Sequence, residues 1–203
     1  MKIICIGRNY AEHIKELNNS ANEEPVIFMK GDNALITGRN PFFIPDWSND
    51  IHYECELVLR INRLGKNISA KFAHKYFSEI SIGIDFTARD LQSKLKAKGL
   101  PWELSKSFDG AAAIGKFIPV DSFKDFQNIS FHLNLNGETV QNGNSKMMLF
   151  TIRRIIEYVS SYMTLKKGDL IFTGTPAGVG KVSKNDVLEA YIENEKLLNL
   201  KIK

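Results

Sequence analysis

The chain has 203 residues, of which 43% are apolar and 25% charged, and its formal net charge is +4 at pH 7. These proportions are those of a globular domain with a sizeable core, and they exclude a disordered or fibrous chain. Lysines and arginines stand singly or in pairs, without the run of a nucleic-acid-binding arm, and no stretch reaches the roughly 18 consecutive apolar residues of a membrane span. We therefore expect a cytoplasmic globular protein that binds neither nucleic acid nor membrane.

The N-terminal segment MKIICIGRNY runs from a short apolar stretch into Gly7 and Arg8 and contains no small-residue cleavage site. It predicts a first strand rather than a signal peptide. The two cysteines, Cys5 and Cys55, fall in apolar surroundings and form no C-x-x-C spacing. We expect two small buried side chains there, and neither a zinc site nor thiol redox chemistry.

Short apolar or alternating runs between turn residues predict strands along most of the chain. These predicted strands cover residues 2–7, 25–31, 41–47, 53–62, 77–86, 169–174, 187–193 and 197–203. A further segment, 129–143, alternates apolar and polar residues and passes through Asn136-Gly137, a pair that suits the tight turn of a β-hairpin.

Three segments predict helices. The pattern is weak at residues 9–19 and strong at 150–163, where isoleucines recur at helical spacing. Between them, Thr87 is predicted to cap a helix, with Asp90 as its capping-box partner and Gly99 near its end.

Many short strands, few helices and no regular strand–helix alternation favour an α+β, mostly β fold with mixed or antiparallel pairing. We find no internal repeat, low-complexity tract or linker in the sequence. One domain over residues 1–203 is expected, with residues 8–22 as a candidate mobile segment.

Two glutamates stand in the otherwise apolar run IHYECELVL, residues 51–59. Side chains alternate faces along a strand, so Glu54 and Glu56 point the same way and lie roughly 7 Å apart. One interpretation is a half-exposed antiparallel strand whose carboxylates lie in water. The other is a cation site, which needs more oxygen ligands from elsewhere in the chain.

Asp85 is a candidate third ligand, because it stands where an isoleucine-rich strand gives way to a helix-opening turn. Alone, it could simply cap that turn. Three carboxylates that converge on one point repel one another unless a cation joins them. Such an all-oxygen site would suit Mg²⁺, Mn²⁺ or Ca²⁺ and not Zn²⁺.

Two other motifs carry reactive or hydrogen-bonding side chains. In GTPAGVGK, residues 174–181, five residues separate the first glycine from Gly-Lys, so the segment is not a P-loop. It is either a plain tight turn or a carboxylate-binding loop that uses Thr175 and backbone N–H groups. His13 and Glu16 are neighbours on one helix face, as a surface ion pair or as a general-base pair.

Five blocks occur in the order and spacing of the fumarylacetoacetate hydrolase family: GRNYAEH, HYECELV, GIDFTARDLQ, GLPWELSKSFDG and GDLIFTGTPAGVG. Over essentially its whole length the chain resembles the short single-domain members. These are acylpyruvate hydrolases, oxaloacetate decarboxylases or tautomerases, and the isomerase/decarboxylases of homoprotocatechuate breakdown. The sequence departs from the family pattern at Lys30-Gly31, where Lys-Pro is usual, and in FDGAAAIG, where many relatives have a threonine and a proline. Both departures bear on the shape of the substrate pocket.

The resemblance implies a mixed β-roll core, a homodimer and a divalent metal. The implied metal is Mg²⁺ or Mn²⁺, with Ca²⁺ as a possible crystal substitute, and its implied ligands are Glu54, Glu56 and Asp85. The other implied site residues are the catalytic His13, Glu16 and Lys106 and the substrate-binding Arg8, Gln92 and Thr175. His13 and Glu16 would sit on a lid over the substrate and activate a water molecule.

The expected activity is the hydrolytic cleavage of an acylpyruvate to pyruvate and a carboxylic acid, because both His13 and Glu16 are present. The alternatives are decarboxylation or tautomerisation of oxaloacetate and the 2-hydroxyhepta-2,4-diene-1,7-dioate isomerase/decarboxylase reaction. Outside the enzymes, a non-catalytic metal- or ligand-binding relative is the remaining alternative.

Overall fold

The structure is a computed structural model that describes residues 1–17, 23–36 and 40–203. Its strands, in chain order, are β1 (Ile3–Gly7), β2 (Val26–Lys30), β3 (Leu35–Ile36), β4 (Ile51–Tyr53), β5 (Cys55–Ile61), β6 (Phe77–Asp85), β7 (Thr87–Ala88), β8 (Ala112–Ile114), β9 (Ile118–Pro119), β10 (Ser130–Leu135), β11 (Glu138–Asn144), β12 (Leu170–Phe172), β13 (Gly180–Lys181), β14 (Val187–Ile192) and β15 (Glu195–Lys201). Its α-helices are α1 (Ala11–Glu16), α2 (Arg89–Ala97), α3 (Glu103–Lys106) and α4 (Ile152–Tyr162). Residues 18–22 of the predicted mobile segment lie outside the described residues.

A central sheet carries the core. Its strands follow the order β2-β1-β12-β5-β6-β8-β3, and β9 pairs with β6 beside this path. β1 and β12 run parallel, whereas β5 pairs antiparallel with both β12 and β6. Mixed pairing and the predominance of strands confirm the predicted α+β, mostly β fold class.

A second sheet, with the order β11-β10-β14-β15, packs against β5 and β6 of the central sheet. The predicted hairpin joins β10 to β11, and its turn residues Asn136 and Gly137 both have positive φ angles, 53° and 89°. That pair of left-handed residues is the geometry that an Asn-Gly hairpin turn adopts, so the prediction is confirmed. Both predicted cysteines are buried and free.

The strand that carries the two glutamates is not half-exposed. Leu57 and Val58 point to opposite faces of β5, yet both are fully buried. Glu54 and Glu56 are 5% and 2% exposed. Of the two interpretations, the half-exposed strand with solvated carboxylates is therefore excluded, because protein covers the central sheet on both sides at this strand.

Two local predictions also fail. Residues 41–47 form no strand; Phe42 makes only an isolated bridge with Ile202. Thr87 does not cap α2, since it lies in β7 and its hydroxyl accepts a hydrogen bond from the Lys106 ammonium. The helix begins two residues later without a side-chain cap.

No helix in the described part of the chain is both long and apolar enough to cross a membrane.

Asp169 ties the start of β1 to the start of β12. Its carboxylate accepts hydrogen bonds from the Lys2 backbone N–H at 2.9 Å, from the Lys166 backbone N–H at 2.8 Å, and from the Lys2 ammonium. Burial opposes ionisation of this carboxyl, but the bonds from Lys2 and Lys166 outweigh it and lower the pKa of Asp169. The parallel contact between the two central strands thus rests partly on a charged residue.

We expect Asp169→Asn to lower the free energy of unfolding at pH 7 by about 1.5–3 kcal/mol, the scale of hydrogen bonds to a charged group. Because the folded-state pKa is lowered, this stabilisation is present above the unfolded-state value of about 3.9 and is lost as the pH falls through the folded-state value. Urea unfolding should show that the wild type has a higher free energy of unfolding than D169N at pH 7, and that this difference is smaller at pH 3. The exposed Asp121→Asn is the matched control, and a pH-independent difference for D169N would contradict the assignment.

Candidate active site

Three buried carboxylates meet where β5 begins and β6 ends. Glu56 lies in β5 opposite Gly83 of β6, Asp85 is the last residue of β6, and Glu54 lies in the break between β4 and β5. The Asp85 backbone N–H donates to the Glu54 carbonyl at 2.8 Å, which holds the two segments together. One carboxylate oxygen from each of these three residues lies within 4.8 Å of those from the other two. The antiparallel pairing thus brings the three predicted metal ligands together.

Two buried lysines and the half-buried Arg89 surround the carboxylates. Lys106 Nζ donates to Glu54 Oε2 and to Asp85 Oδ2, each at 2.8 Å. Lys30 Nζ lies 2.7 Å from Asp85 Oδ1, and Arg89 Nη2 donates to Glu54 Oε1 at 2.5 Å. Three negative and three positive side chains therefore share one buried cluster.

The cluster shifts the pKa values of its two glutamates in opposite directions. Burial opposes the charge on Glu54, but the Lys106 and Arg89 charges outweigh it and lower the pKa of Glu54. The pKa of Glu56 is raised, by burial first and then by the neighbouring Asp85 and Glu54 charges, although the Gly174 backbone N–H donates to it at 2.6 Å. Glu56 is the member whose negative charge the protein alone compensates least.

The donor set fits a hard divalent cation. It consists only of carboxylate oxygens, which Mg²⁺ and Mn²⁺ prefer, and contains no thiolate or imidazole among its three members. Asp85 Oδ1 is buried and accepts no hydrogen bond from the described residues, although Lys30 Nζ forms an ion pair with it at 2.7 Å. Glu54, Glu56 and Asp85 could therefore hold such a cation, which would also relieve the charge repulsion on Glu56.

His13 and Glu16 lie on α1, over the same cleft. The Nδ1 atom of His13 is 3.1 Å from Glu16 Oε2, and the other Glu16 oxygen accepts the Gly178 backbone N–H at 3.0 Å. The carboxylate requires a donor at Nδ1, so in the neutral tautomer that satisfies this contact Nε2 is the nitrogen that can accept a proton. His13 is only 5% exposed and lines the cleft together with Glu54 and Glu56.

Thr175 is held by a residue that the sequence analysis did not single out. Gln141 Nε2 donates to Thr175 Oγ1 at 2.8 Å and to the Pro176 carbonyl at 2.9 Å, while its Oε1 accepts the Cys55 N–H at 2.9 Å. This fixes the orientation of the Gln141 amide. Because Thr175 Oγ1 already accepts a hydrogen bond, its own proton is available to donate to a carboxylate in the cleft.

The remaining predicted substrate contacts line the same cleft. Gln92 accepts a hydrogen bond from Arg89 Nη1 at 2.7 Å. Arg8 has a left-handed backbone, with φ 57°, and its guanidinium carbon lies 6.0 Å from the centre of the Trp102 ring. A non-glycine residue in this conformation costs of order 1–3 kcal/mol, so the surrounding contacts must hold Arg8 in place.

Four residues of the site were missed in the sequence. Lys30 ends an apolar strand, Gln141 lies in an ordinary hairpin strand, and Lys96 lies in a helix rich in lysines. Only Arg89 gave a usable signal, because a cation in the first turn of a helix opposes the helix dipole and needs another reason to be there.

Similarity to known proteins agrees with this geometry. The family model described as Fumarylacetoacetate (FAA) hydrolase C-terminal matches residues 2–201. The chain is 44% identical to "Oxaloacetate decarboxylase, mitochondrial" of Dictyostelium discoideum, over 94% of this chain and 88% of that protein. It is 40% identical to "Oxaloacetate tautomerase FAHD1, mitochondrial" of Bos taurus, over 99% and 90%. Because both of these relatives are named as mitochondrial, the cytoplasmic location of this protein stays a prediction.

Among solved structures, the chain superposes on fumarylpyruvate hydrolase from Pseudomonas aeruginosa in complex with Mn²⁺ and pyruvate. The TM-score is 0.93 at 30% identity, over 100% of this chain and 89% of that chain.

Glu56→Gln tests whether the carboxylate cluster takes a cation. The substitution removes one buried like charge and keeps an oxygen that can accept the Gly174 N–H. We expect Mg²⁺ or Mn²⁺ to stabilise the wild-type protein by about 2.7 kcal/mol at 100 times the dissociation constant, and E56Q to gain little at the same concentration. Thermal unfolding with metal and with EDTA measures both.

Glu79→Gln is the matched control, because Glu79 lies on β6 and pairs with Arg60 at the surface. It should respond to metal as the wild type does. An equal metal-induced stabilisation in E56Q would contradict the assignment.

Proposed function

The chain belongs to the fumarylacetoacetate hydrolase family, and on that premise we propose that it is a divalent-metal-dependent enzyme that tautomerises and decarboxylates oxaloacetate. The observation that carries this proposal is the buried set Glu54, Glu56 and Asp85, joined to Lys106 in a cleft lined with further cations. The names of the similar proteins favour oxaloacetate over the acylpyruvate that the sequence analysis put first. The order of these two candidates is therefore reversed.

In this proposal Glu54, Glu56 and Asp85 hold the metal, Mg²⁺ or Mn²⁺. When bound, the metal supplies Lewis acidity toward the 2-keto group of the substrate. Negative charge that develops at C3 is then stabilised, because it is delocalised onto the C2 oxygen as an enolate. Tautomerisation moves a proton from C3 to that oxygen. Decarboxylation breaks the C3–C4 bond, leaves the electron pair on C3 and releases CO₂.

Lys106 stabilises negative charge in the same cleft. Its pKa is raised, because the Asp85 and Glu54 charges outweigh a burial that would lower it. The ammonium is therefore protonated at neutral pH, and it is fixed by three acceptors before any substrate arrives. A preorganised cation next to a developing enolate lowers the barrier more than a solvated one.

Thr175 and Gln92 bind the carboxylate next to the keto group. The Thr175 hydroxyl donates, since Gln141 already occupies its acceptor side. The Gln92 amide is oriented by its bond from Arg89, which leaves the NH₂ group to donate into the cleft. Both are neutral donors, so they orient the substrate without changing the charge of the site.

Hydrolysis of a 2,4-dioxo acid is the second candidate, and the His13–Glu16 contact favours it. His13 Nε2 would take a proton from water, whose oxygen bonds to the C4 carbonyl carbon. The C3–C4 bond then breaks with its electron pair on C3, which releases a carboxylic acid and the enolate of pyruvate. The proton that His13 took from water returns to C3 and gives pyruvate. In this role α1 and the segment 8–22 act as the lid, as the resemblance implies.

The first experiment follows oxaloacetate and acetylpyruvate separately, with excess Mg²⁺ and with EDTA. Exchange between keto and enol oxaloacetate and the formation of pyruvate are measured by proton NMR on the same sample. We expect EDTA-sensitive acceleration of both for oxaloacetate. EDTA-sensitive loss of acetylpyruvate alone would move the assignment to the hydrolase, and no acceleration of either substrate would refute the proposed function.

His13→Ala separates the two candidates. Removing a general base typically costs 10²–10⁴-fold, so we expect hydrolysis of acetylpyruvate to fall by at least about 100-fold. Decarboxylation needs no activated water and should change little. Equal loss of both activities in H13A would contradict this division of roles, and His74→Ala, at an exposed histidine, is the control.

A further inference from the structure

One face of α2 lines the cleft with polar side chains. Arg89, Gln92 and Lys96 are spaced i, i+3 and i+7, which places all three on the same side of the helix. All three line the cleft that holds Glu54 and Glu56. The other lysine of this helix, the exposed Lys94, falls outside that set.

The stripe runs from the buried end of the cleft to its opening. Arg89 contacts the buried Glu54, Gln92 is 7% exposed, and Lys96 is an exposed residue. Arg8 lines the cleft from the N-terminal segment. Lys96 therefore places a cation at the outer part of the cleft, and the half-buried Arg8 adds a second one to the lining. The metal-ligand candidates lie at the inner part.

The cations are close enough to influence one another. The pKa of Lys96 is lowered, by partial burial first and then by the positive charges of Arg8 and Arg89. Bringing like charges to one opening has an electrostatic cost that an anion bound between them removes, whatever other contacts each side chain makes. The outer part of the cleft is thus arranged for an anionic group of the occupant.

We propose that Lys96, together with Arg8, binds the distal carboxylate of a dicarboxylic 2-keto acid and makes this enzyme select dicarboxylic over monocarboxylic substrates. The inference rests on the proposed function for the placement of the 2-keto acid end at the inner carboxylates. A carboxylate is the matching group because a lysine ammonium offers three donors to it, and the Arg8 guanidinium offers a planar pair.

This contact also bears on which reaction oxaloacetate undergoes. Its distal carboxylate is C4, the group that leaves as neutral CO₂ when the C3–C4 electron pair stays on C3. A cation that holds C4 stabilises the carboxylate charge in the ground state, and that charge is lost in decarboxylation. Tautomerisation moves one proton from C3 to the C2 oxygen and leaves the C4 carboxylate intact. Lys96 therefore favours tautomerisation over decarboxylation.

The binding test uses two keto acids that do not need to react. 2-Oxoglutarate and 2-oxopentanoate have the same chain length and differ by a distal carboxylate against a methyl group. Calorimetric titration of the Mg²⁺-supplemented protein should show 2-oxoglutarate binding about tenfold more tightly, as expected for one charge-assisted contact. Lys96→Met should abolish the preference, Lys96→Arg should retain most of it, and the control Lys94→Met should leave it unchanged.

The turnover test uses oxaloacetate alone. K96M should raise the ratio of pyruvate formed to enol formed by about tenfold, and it should raise the KM for oxaloacetate but not for acetylpyruvate. A role of Lys96 in folding alone would move both substrates together and leave the product ratio unchanged.

The two proposals fail separately. Wild-type protein that accelerates no reaction would refute the proposed function, yet a 2-oxoglutarate preference lost in K96M would still support Lys96. Equal binding of the two keto acids by the wild type, or the same loss of preference in K94M, would overturn the role of Lys96 whatever the turnover shows.

Discussion

The cluster of three carboxylates and three cations at the β5–β6 junction is the constraint on which the rest of the site depends. Full burial makes each charge costly unless an opposite charge is in contact with it. Lys106 bridges Glu54 and Asp85 and also donates a hydrogen bond to the Thr87 hydroxyl. That hydroxyl therefore takes part in the cluster instead of capping α2. The elements that supply these residues must therefore dock in register before the cluster can form.

The sequence carries much of the fold but only part of the site. The Asn136-Gly137 hairpin was predictable because the turn chemistry is local. The depth of Glu56 was not, because burial on both faces of β5 depends on a second sheet built from residues far along the chain. Gln141 lies 86 residues from Cys55, whose backbone N–H it accepts, so no local sequence pattern predicts this contact. The ligand set followed from resemblance, and its convergence followed from the pairing of β5 with β6.

The arrangement also separates two kinds of positive charge. Lys30, Lys106 and Arg89 are each bonded or closely paired to a ligand candidate and are tied to the inner cluster. Lys96 is exposed at the outer part of the cleft and Arg8 is half-buried in its lining, so an occupant of the cleft can approach both. The inner cations balance the carboxylates, while Arg8 and Lys96 are the cations to which we assign selection among substrates by charge.

Charge balance connects the metal to the substrate class. Without a metal, the three inner cations match the three carboxylates in number, and burial together with the Asp85 and Glu54 charges raises the pKa of Glu56. A divalent cation held there would relieve that repulsion and leave three carboxylates, three cations and the metal with two net positive charges. A monocarboxylic keto acid compensates only one of them, whereas a dicarboxylate compensates both. The net charge of the inner site with its metal therefore favours a substrate with two negative charges. The proposed contacts of Arg8 and Lys96 would add to that preference.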